Sequence, residues 1–523
     1  MNLELKNFTF TYALGDSPAL DNISAGIQRG DFCVIAGRSG SGKTTLLKCF
    51  KPSVAPAGKK SGEILFDGAD IGSLSKRDAA EKIGYVAQRP DEQLVCDTVR
   101  HELAFGMLNL GYGMEEAKLR SAEVCEFFGI SDLYRKKTAE LSGGEKQLVN
   151  LAAVMTFSPS VLLLDEPEAQ LDPVSKNRLF DVLARLNLET GVTVVIACHR
   201  LEGLLNLATK IIYLENGRAV FCGGPRRAVK TLDDDNFIKS LPAPARLGRD
   251  MPEEKIPLTV RDARRLGLSF SSQAGTTPCG RPPDGDPLTG DRTGSPPPAA
   301  LEVRRVYYRY GRKADYILNG VTAAFPKGKI TAVTGGNGAG KSTLLKVLAG
   351  ILKPQSGKVK HPAFEAQNAT RKTQHAIGYL PQDPLPLFTE KTVGAELSKL
   401  PGGAEYSYIA DGLLDRNPFD LSGGELQRAA LAFVMSAGPD ILLADEPVKG
   451  ADSLFREELG DLLRQLCREG KTVIAVSHDL DFCRLCADQC AFLFDGEIVA
   501  FAPADKFFED RLYYTTEEAR LTE

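Results

Sequence analysis

The chain has 523 residues, enough for about three domains of ordinary size, so more than one core is expected. Hydrophobic residues make up 43% and charged residues 25%, and 64 Lys+Arg against 68 Asp+Glu leave a net charge of -4. That balance excludes coating of nucleic acid or anionic membrane through bulk charge, and leaves room for a local basic patch. No run approaches the 18 or so apolar residues of a membrane-spanning helix, and Met1-Asn2-Leu3-Glu4-Leu5-Lys6 begins as a strand and not as a signal peptide. The expectation is a chain that neither spans a membrane nor is secreted. Eleven scattered cysteines, with Cys33 and Cys198 inside apolar runs, fit a reduced cytosolic protein.

In chain order, the apolar run Asp31-Phe32-Cys33-Val34-Ile35-Ala36 enters Gly37-Arg38-Ser39-Gly40-Ser41-Gly42-Lys43-Thr44-Thr45 and then Leu46-Leu47-Lys48. A Gly-rich loop between a buried strand and a helix is what a phosphate cradle requires. Glycines let backbone N–H groups approach the phosphates, the helix N-terminus adds partial positive charge, Lys43 reaches the β/γ oxygens and Thr44 holds Mg²⁺. A lone Gln88 follows, then Leu141-Ser142-Gly143-Gly144-Glu145, then Val161-Leu162-Leu163-Leu164, which delivers Asp165-Glu166. A continuous apolar run reads as a strand of a parallel sheet covered on both faces. One carboxylate at its end suits Mg²⁺, and a second suits orientation and deprotonation of an attacking water. The strand-like run Val192 to Cys198 ends at His199, read as a γ-phosphate contact.

Residues 232–300 change character, with Pro242, Pro244, Pro252, Pro257 and a further cluster of prolines among Gly and Ser. This composition reads as a semi-extended linker, carrying one short helix around Leu258–Leu266 capped by Thr259.

Beyond it the same motifs return in the same order. Lys329 to Thr334 enters Gly335-Gly336-Asn337-Gly338-Ala339-Gly340-Lys341-Ser342-Thr343. Gln382, Leu421-Ser422-Gly423-Gly424-Glu425, Ile441 to Ala444 with Asp445-Glu446, and Thr472 to Ser477 ending at His478 follow. The loop-to-Gln interval is 45 residues in the first copy and 41 in the second, and the Gln-to-Ser interval is 54 against 40, so the second copy is shortened mainly after its Gln. Near the end, Cys483, Cys486 and Cys490 are spaced to lie on one helix face as buried thiols and not as a metal site.

Taken together, Lys43-Thr44, Leu141-Ser142-Gly143-Gly144-Glu145, Asp165-Glu166-Pro167 and His199, with their second-half partners, resemble the Walker A, signature, Walker B and switch motifs of ABC-type ATPases. The resemblance covers residues 1–225 and 301–505. It implies an α/β chain of two tandem P-loop NTPase domains, 1–231 and 301–523. Each would have a mainly parallel sheet core, an antiparallel β subdomain and a helical signature subdomain. It implies two composite ATP sites in a pseudo-dimer within one chain: Lys43 sharing an ATP with Ser422-Gly423-Gly424, and Lys341 with Ser142-Gly143-Gly144. A linker of about 60 residues reaches roughly 40 Å as a flexible coil, which makes closure intramolecular. The resemblance further places Gly37, Gly40, Gly42, Thr45, Gly335, Gly338, Gly340 and Thr343 around the phosphates. It places Tyr12 and Tyr310 on adenine, and Mg²⁺ on Thr44, Gln88 and Asp165 and on Ser342, Gln382 and Asp445. Glu166 and Glu446 act on water beside His199 and His478. Asp172 and Asp452 fall at the family's D-loop, preceded by Gln170-Leu171 and Gly450-Ala451. Leu148 follows Gln147 where Arg428 follows Gln427, which predicts weaker contacts behind the first signature.

The run Gln88-Arg89-Pro90-Asp91-Glu92-Gln93-Leu94, with Thr98-Val99 and Glu102-Leu103-Ala104-Phe105-Gly106, resembles the energy-coupling-factor branch of ABC importers. Arg416-Asn417-Pro418-Phe419-Asp420-Leu421-Ser422 is similar to the second-domain pattern of its fused members. The resemblance implies uptake of a vitamin or a transition-metal ion through a transmembrane scaffold subunit and a solute-binding membrane subunit, with this chain on the cytoplasmic membrane face and no nucleic acid bound. Gln382-Asp383-Pro384-Leu385 lacks the Asp-Glu-Gln run, so unequal docking grooves are expected, the first deeper. Two alternatives remain at this point: the ATPase of a tandem-domain sugar importer, and a soluble ribosome-associated ABC ATPase, whose long charged helical arm is replaced here by a Pro/Gly-rich segment.

Overall fold

The computed structural model describes residues 2–169, 171–269, 299–311, 314–360, 377–449, 451–509 and 515–522. The chain divides into two compact units, Met1–Leu268 and Ser269–Glu523.

In the first unit the strands are β1 (Leu3–Tyr12), β2 (Leu20–Ile27), β3 (Phe32–Gly37), β4 (Gly58–Phe66), β5 (Ala69–Asp70), β6 (Ile83–Val86), β7 (Val161–Asp165), β8 (Thr193–Cys198), β9 (Lys210–Glu215) and β10 (Arg218–Gly223). Six form a sheet in the order β10-β9-β3-β8-β7-β6, parallel except for the β10–β9 pair. Strands β3, β7 and β8 are buried along their whole length, as their unbroken apolar runs require when both faces are covered. Alternation then splits β3 between two cores. Phe32, Val34 and Ala36 join the core beneath the helices, while Cys33 and Ile35 join Leu46, Leu47 and the antiparallel sheet β2-β1-β4-β5. Because β3, β8 and β7 are neighbours and parallel, the loops leaving their C-terminal ends lie side by side. Helices Val99–Asn109, Met114–Phe128 and Gly143–Met155 form the helical part.

The second unit repeats the plan with β11 (Ala299–Tyr308), β12 (Leu318–Pro326), β13 (Ile330–Thr334), β14 (Ser356–Lys360), β15 (Ile377–Leu380), β16 (Ile441–Asp445), β17 (Thr472–Val476), β18 (Gln489–Phe494) and β19 (Glu497–Pro503). Its sheets run β15-β16-β17-β13-β18-β19 and β12-β11-β14. Its shortening after Gln382 has a structural expression. In place of two helices of 11 and 15 residues, the segment before helix Gly423–Ser436 holds Val393–Leu397, Gly403–Tyr406 and a 3-10 turn at Ser407–Ala410.

Two expectations need correction. Residues 232–268, read as the start of a linker, belong to the first unit. Helix Asp235–Ser240 packs on β3, and Phe237, Leu241, Ala245 and Ile256 of this segment lie in the same core as Val34, while helix Val260–Arg265 packs against helix Ala243–Leu247. The prolines misled: Pro242 and Pro252 sit at the caps of a short helix and a 3-10 turn, where a missing N–H costs nothing. Thr259 does cap its helix, accepting from Asp262 N at 3.1 Å. The linker residues 270–298, and Gln170 and Gly450 of the D-loop segments, lie outside the described residues. The three late cysteines do not share a helix either. Cys483 and Cys486 lie on helix Leu480–Cys486, whereas Cys490 lies on β18. All three are buried, and burial holds the Cys490 thiol up at about 12.

Candidate functional site

At the end of β3, Gly37 has φ 151°, and a Cβ there would stand 2.3 Å from Leu214 O on β9; only glycine fits. The loop then wraps Lys43, 4% exposed, whose Nζ donates to Gly37 O at 2.9 Å and Arg38 O at 2.8 Å. Gly40 and Gly42 also have positive φ. Thr44, at the start of helix Lys43–Cys49, donates to Asp165 Oδ1 at 2.8 Å. Asp165 ends β7, and Glu166 follows it with φ 45°, a left-handed backbone that is costly for a bulky residue and concentrates at functional sites. Glu166 N donates to Ala197 O of β8 at 3.0 Å, which fixes this turn. Its carboxylate then receives Gln88 Nε2 at 2.9 Å and stands 2.6 Å from His199 Nε2, while His199 Nδ1 is 3.3 Å from Lys43 Nζ. Lysine, histidine, glutamate and glutamine are thus one connected network.

The second unit rebuilds most of this. Gly335 repeats the close approach, to Leu493 O at 2.3 Å. Lys341 Nζ donates to Gly335 O and Gly336 O at 2.9 and 3.0 Å, and Ser342 donates to Asp445 Oδ1 at 2.9 Å. Gly338 and Gly340 have positive φ, as does Glu446 at 52°. Glu446 Oε2 meets His478 Nδ1 at 2.8 Å. Gln382 does not join Glu446: it is exposed, and its backbone carbonyl accepts from Gln427 Nε2 at 3.3 Å. Tyr12 and Tyr310 are 42% and 60% exposed, with hydroxyls 2.7 Å from Thr45 Oγ1 and 3.2 Å from Thr343 Oγ1, so each offers a ring beside its phosphate loop and neither is a core tyrosine.

Each Leu-Ser-Gly-Gly-Glu run opens a helix. Ser142 N donates to Glu145 Oε2 at 2.7 Å and its Oγ accepts from Glu145 N, a reciprocal cap. Ser422 N and Oγ both reach Glu425 Oε2, at 2.8 and 2.7 Å. Gly143 and Gly144, and Gly423 and Gly424, form the first turn of these helices. Asp172 and Asp452 cap the helices that follow the Asp-Glu turns. Leu148 packs into the first core, where Arg428 instead donates to Ile409 O and Asp411 O.

The model of the ABC transporter family matches residues 20–169 and 318–449, together more than half of the chain. A Bacillus anthracis protein that carries the name of an ABC transporter ATP-binding protein is 38% identical over 532 residues, covering 98% of this chain and 94% of the relative. A Streptomyces coelicolor protein named in the same way is 32% identical over 96% of this chain and 94% of its own. This chain belongs to the ABC transporter ATP-binding family.

It is therefore an ATP-binding, ATP-hydrolysing protein with two cassettes. Among solved structures, the archaeal ribosome recycling factor aABCE1, in complex with ribosomal stalk protein aP1, shares the fold at TM-score 0.61 and 21% identity, over 96% of this chain and 91% of that one. CbiO1 of Clostridium perfringens, part of the cbiONQ complex, matches 51% of this chain at 28% identity and TM-score 0.42.

The ATPase presents hydroxyl and carboxylate oxygens where a divalent cation is expected, and such hard donors, with few protein ligands, suit Mg²⁺. Burial first of all raises the Asp165 and Asp445 carboxyls above their ordinary range, against the bonds from Thr44 and Ser342; a cation would reverse that. Among the described residues no group of three or more His, Cys, Asp or Glu is placed to hold a metal by itself. Two residues escaped the sequence reading. Tyr85 and Tyr379 donate to the other oxygen of each aspartate, at 3.3 and 3.1 Å. Their signal was the Ile-Gly-Tyr run that precedes the glutamine in both copies.

Proposed function

We propose that this ATPase is the energy subunit of an energy-coupling-factor importer, on the cytoplasmic face of the membrane, driving uptake of a vitamin or transition-metal ion through a scaffold subunit and a solute-binding membrane subunit. Each ATP lies between the phosphate loop of one unit and the signature turn of the other, so that binding closes the units. Glu166 and Glu446 orient and deprotonate the attacking water, with His199 and His478 holding their carboxylates. Thr44, Asp165 and Gln88 would hold Mg²⁺ in the first unit, and Ser342 and Asp445 in the second, where Gln382 would have to turn in from its exposed position to join them; the ion would neutralise phosphate charge. Tyr12 and Tyr310 stack on adenine.

One observation carries the transport reading. The surface run after Gln88 is latched to the signature helix: Lys146 Nζ meets Asp91 Oδ1 at 2.5 Å and Asn150 Nδ2 donates to Pro90 O at 3.0 Å. Gln93 ties the same run to the sheet through Ala87 N and Tyr85 O, at 2.9 and 3.0 Å. A rigid surface segment joined at one end to Glu166 by Gln88 and at the other to the signature turn transmits closure to whatever docks on it. Val95, 70% exposed, and Phe105, 43% exposed, supply apolar surface beside it. Affinity purification of the tagged chain from detergent-solubilised membranes tests the reading. The expected outcome is copurification of two integral membrane proteins, one of them bound to a small solute. Salt-sensitive sedimentation with ribosomes, with none of the chain on membranes, would overturn it.

A further inference from the structure

Arg38 is the loop residue whose carbonyl holds Lys43 Nζ at 2.8 Å, and the same carbonyl accepts Ser41 N at 3.1 Å. Its backbone conformation therefore sets where the ammonium sits. Its guanidinium extends away from the loop to Asp234 Oδ2, 3.1 Å distant. Asp234 is fixed in turn. It caps helix Asp235–Ser240 by accepting Phe237 N at 2.9 Å, and it accepts the hydroxyl of Tyr213, the β9 residue in register with Ala36. Phe237 packs edge-on against Tyr213, ring centres 5.2 Å apart. At the other end of this helix, Ser240 O accepts Leu201 N at 3.0 Å, two residues beyond His199. One six-residue helix thus braces both walls of the first site, the phosphate loop and the switch segment.

The two matching positions of the second unit do not carry this chemistry. The loop position of Arg38 is Gly336, and the strand position of Tyr213 is Phe492, as the shared approach of Gly37 to Leu214 O and Gly335 to Leu493 O fixes. Neither can bond a carboxylate through its side chain. We propose that Asp234 is a positioning residue of the first ATP site, holding the phosphate loop through Arg38 in the conformation that seats Lys43, and that the second site works without such a strut.

This inference rests on the ATP-site assignment above, and the experiment separates the two. The full chain carrying Lys341→Ala restricts fluorescent mant-ATP, with Mg²⁺, to the first site. Asp234→Asn keeps the helix cap and an acceptor for Tyr213 and removes only the charge that faces Arg38. An ion pair exposed to this degree predicts a loss of mant-ATP affinity of about two- to fivefold. Arg38→Gln should give the same loss, the double variant no more than either single one, and Arg38→Lys a substantial recovery. In the chain without Lys341→Ala, the KM for ATP should rise while kcat stays within about twofold. Affinity unchanged in both single variants, losses that multiply in the double variant, or a fall in melting temperature without rescue by Arg38→Lys overturns the inference alone. A Lys341→Ala chain that binds no mant-ATP overturns the site assignment and the inference with it.

Discussion

Glu168 is a buried acid that the ATP chemistry does not use, and it yields a quantitative prediction. The residue as a whole is half-buried, but its Oε2 is shut off from solvent and has no hydrogen-bond partner among the described residues. Burial first, and then the neighbouring Glu166 and Asp165, push its carboxyl from 4.5 up to about 7. The folded chain keeps this proton to near pH 7, whereas the unfolded chain releases it near 4.5. Folding therefore binds a proton in that window, and stability falls as pH rises through it and stays lower above it. At 1.36 kcal/mol per pH unit the cost is roughly 3 kcal/mol at pH 8 and under about 1 kcal/mol at pH 5. Glu168→Gln keeps the shape and removes the charge. With about 2–4 °C per kcal/mol for a unit of this size, the first unit's melting temperature should rise by roughly 6–12 °C at pH 8 and by less than about 4 °C at pH 5. Circular dichroism melts of the full chain at the two pH values measure this. An equal gain at both would show that the effect does not come from this group's titration, and a loss at pH 8 would show that the carboxylate is ionised and paired in the fold; either result refutes the reasoning.

Glu166→Gln and Glu446→Gln should each retain ATP and lower turnover of the altered site by roughly 10²–10⁴-fold, since the amide cannot take a proton; normal hydrolysis by either variant in the assembled complex refutes that base. Gly37→Ala places a methyl 2.3 Å from Leu214 O, so the loop must shift at a cost of about 1–3 kcal/mol, and nucleotide binding at that site should be lost before folding is. Asp91→Ala should leave the ATPase rate of the isolated chain within about twofold and reduce the stimulation of that rate by membrane partners; equal stimulation would show that the Lys146–Asp91 latch transmits nothing. Charge reversal at Asp91 and Glu92 should release more membrane complex than reversal at Asp383, and equal release counts against unequal grooves.

What the sequence made legible was chemistry that local order dictates. A Gly-rich loop between an apolar run and a helix, a carboxylate pair at a strand end and a histidine after the next strand are each written within a few residues. The parallel order β3-β8-β7 then brings them together. What it hid depends on partners distant in the chain. Arg38 and Asp234 are 196 residues apart, and nothing local to either names the other. The segment 232–268 was hidden for a different reason. Proline content suggested extended chain: Phe237, Leu241 and Ala245 do recur every four residues, but Pro242 and Pro244 fall between them and read as breaks, and Ile256 lies beyond any single helix. Cys490 was misplaced because its spacing from Cys486 fits a helix turn, whereas the helix ends at Cys486 and Ala487 is already extended.

The duplication also bears on the partner. Two identical copies related by a two-fold axis present identical surfaces, so a symmetric pair cannot match a partner whose two contact regions differ. Fusion removes that restriction, because the first and second positions are fixed in one chain. The differences observed here lie around the reacting groups and not in them. Lys43 and Lys341, Asp165 and Asp445, Glu166 and Glu446, and His199 and His478 are repeated, while Gln88 binds Glu166 and Gln382 stays outside. Glu168 stands where Val448 is buried, Arg38 where Gly336 is bare, and two full helices where the second unit has two short ones and a 3-10 turn. If the shorter segment were damage to a degenerate copy, the glutamate turn, held at φ 52° in the second unit against a backbone cost, would have no reason to persist. Its retention beside a shortened helical segment fits the proposal made above, in which both sites turn over ATP and the asymmetry serves the proposed membrane partners.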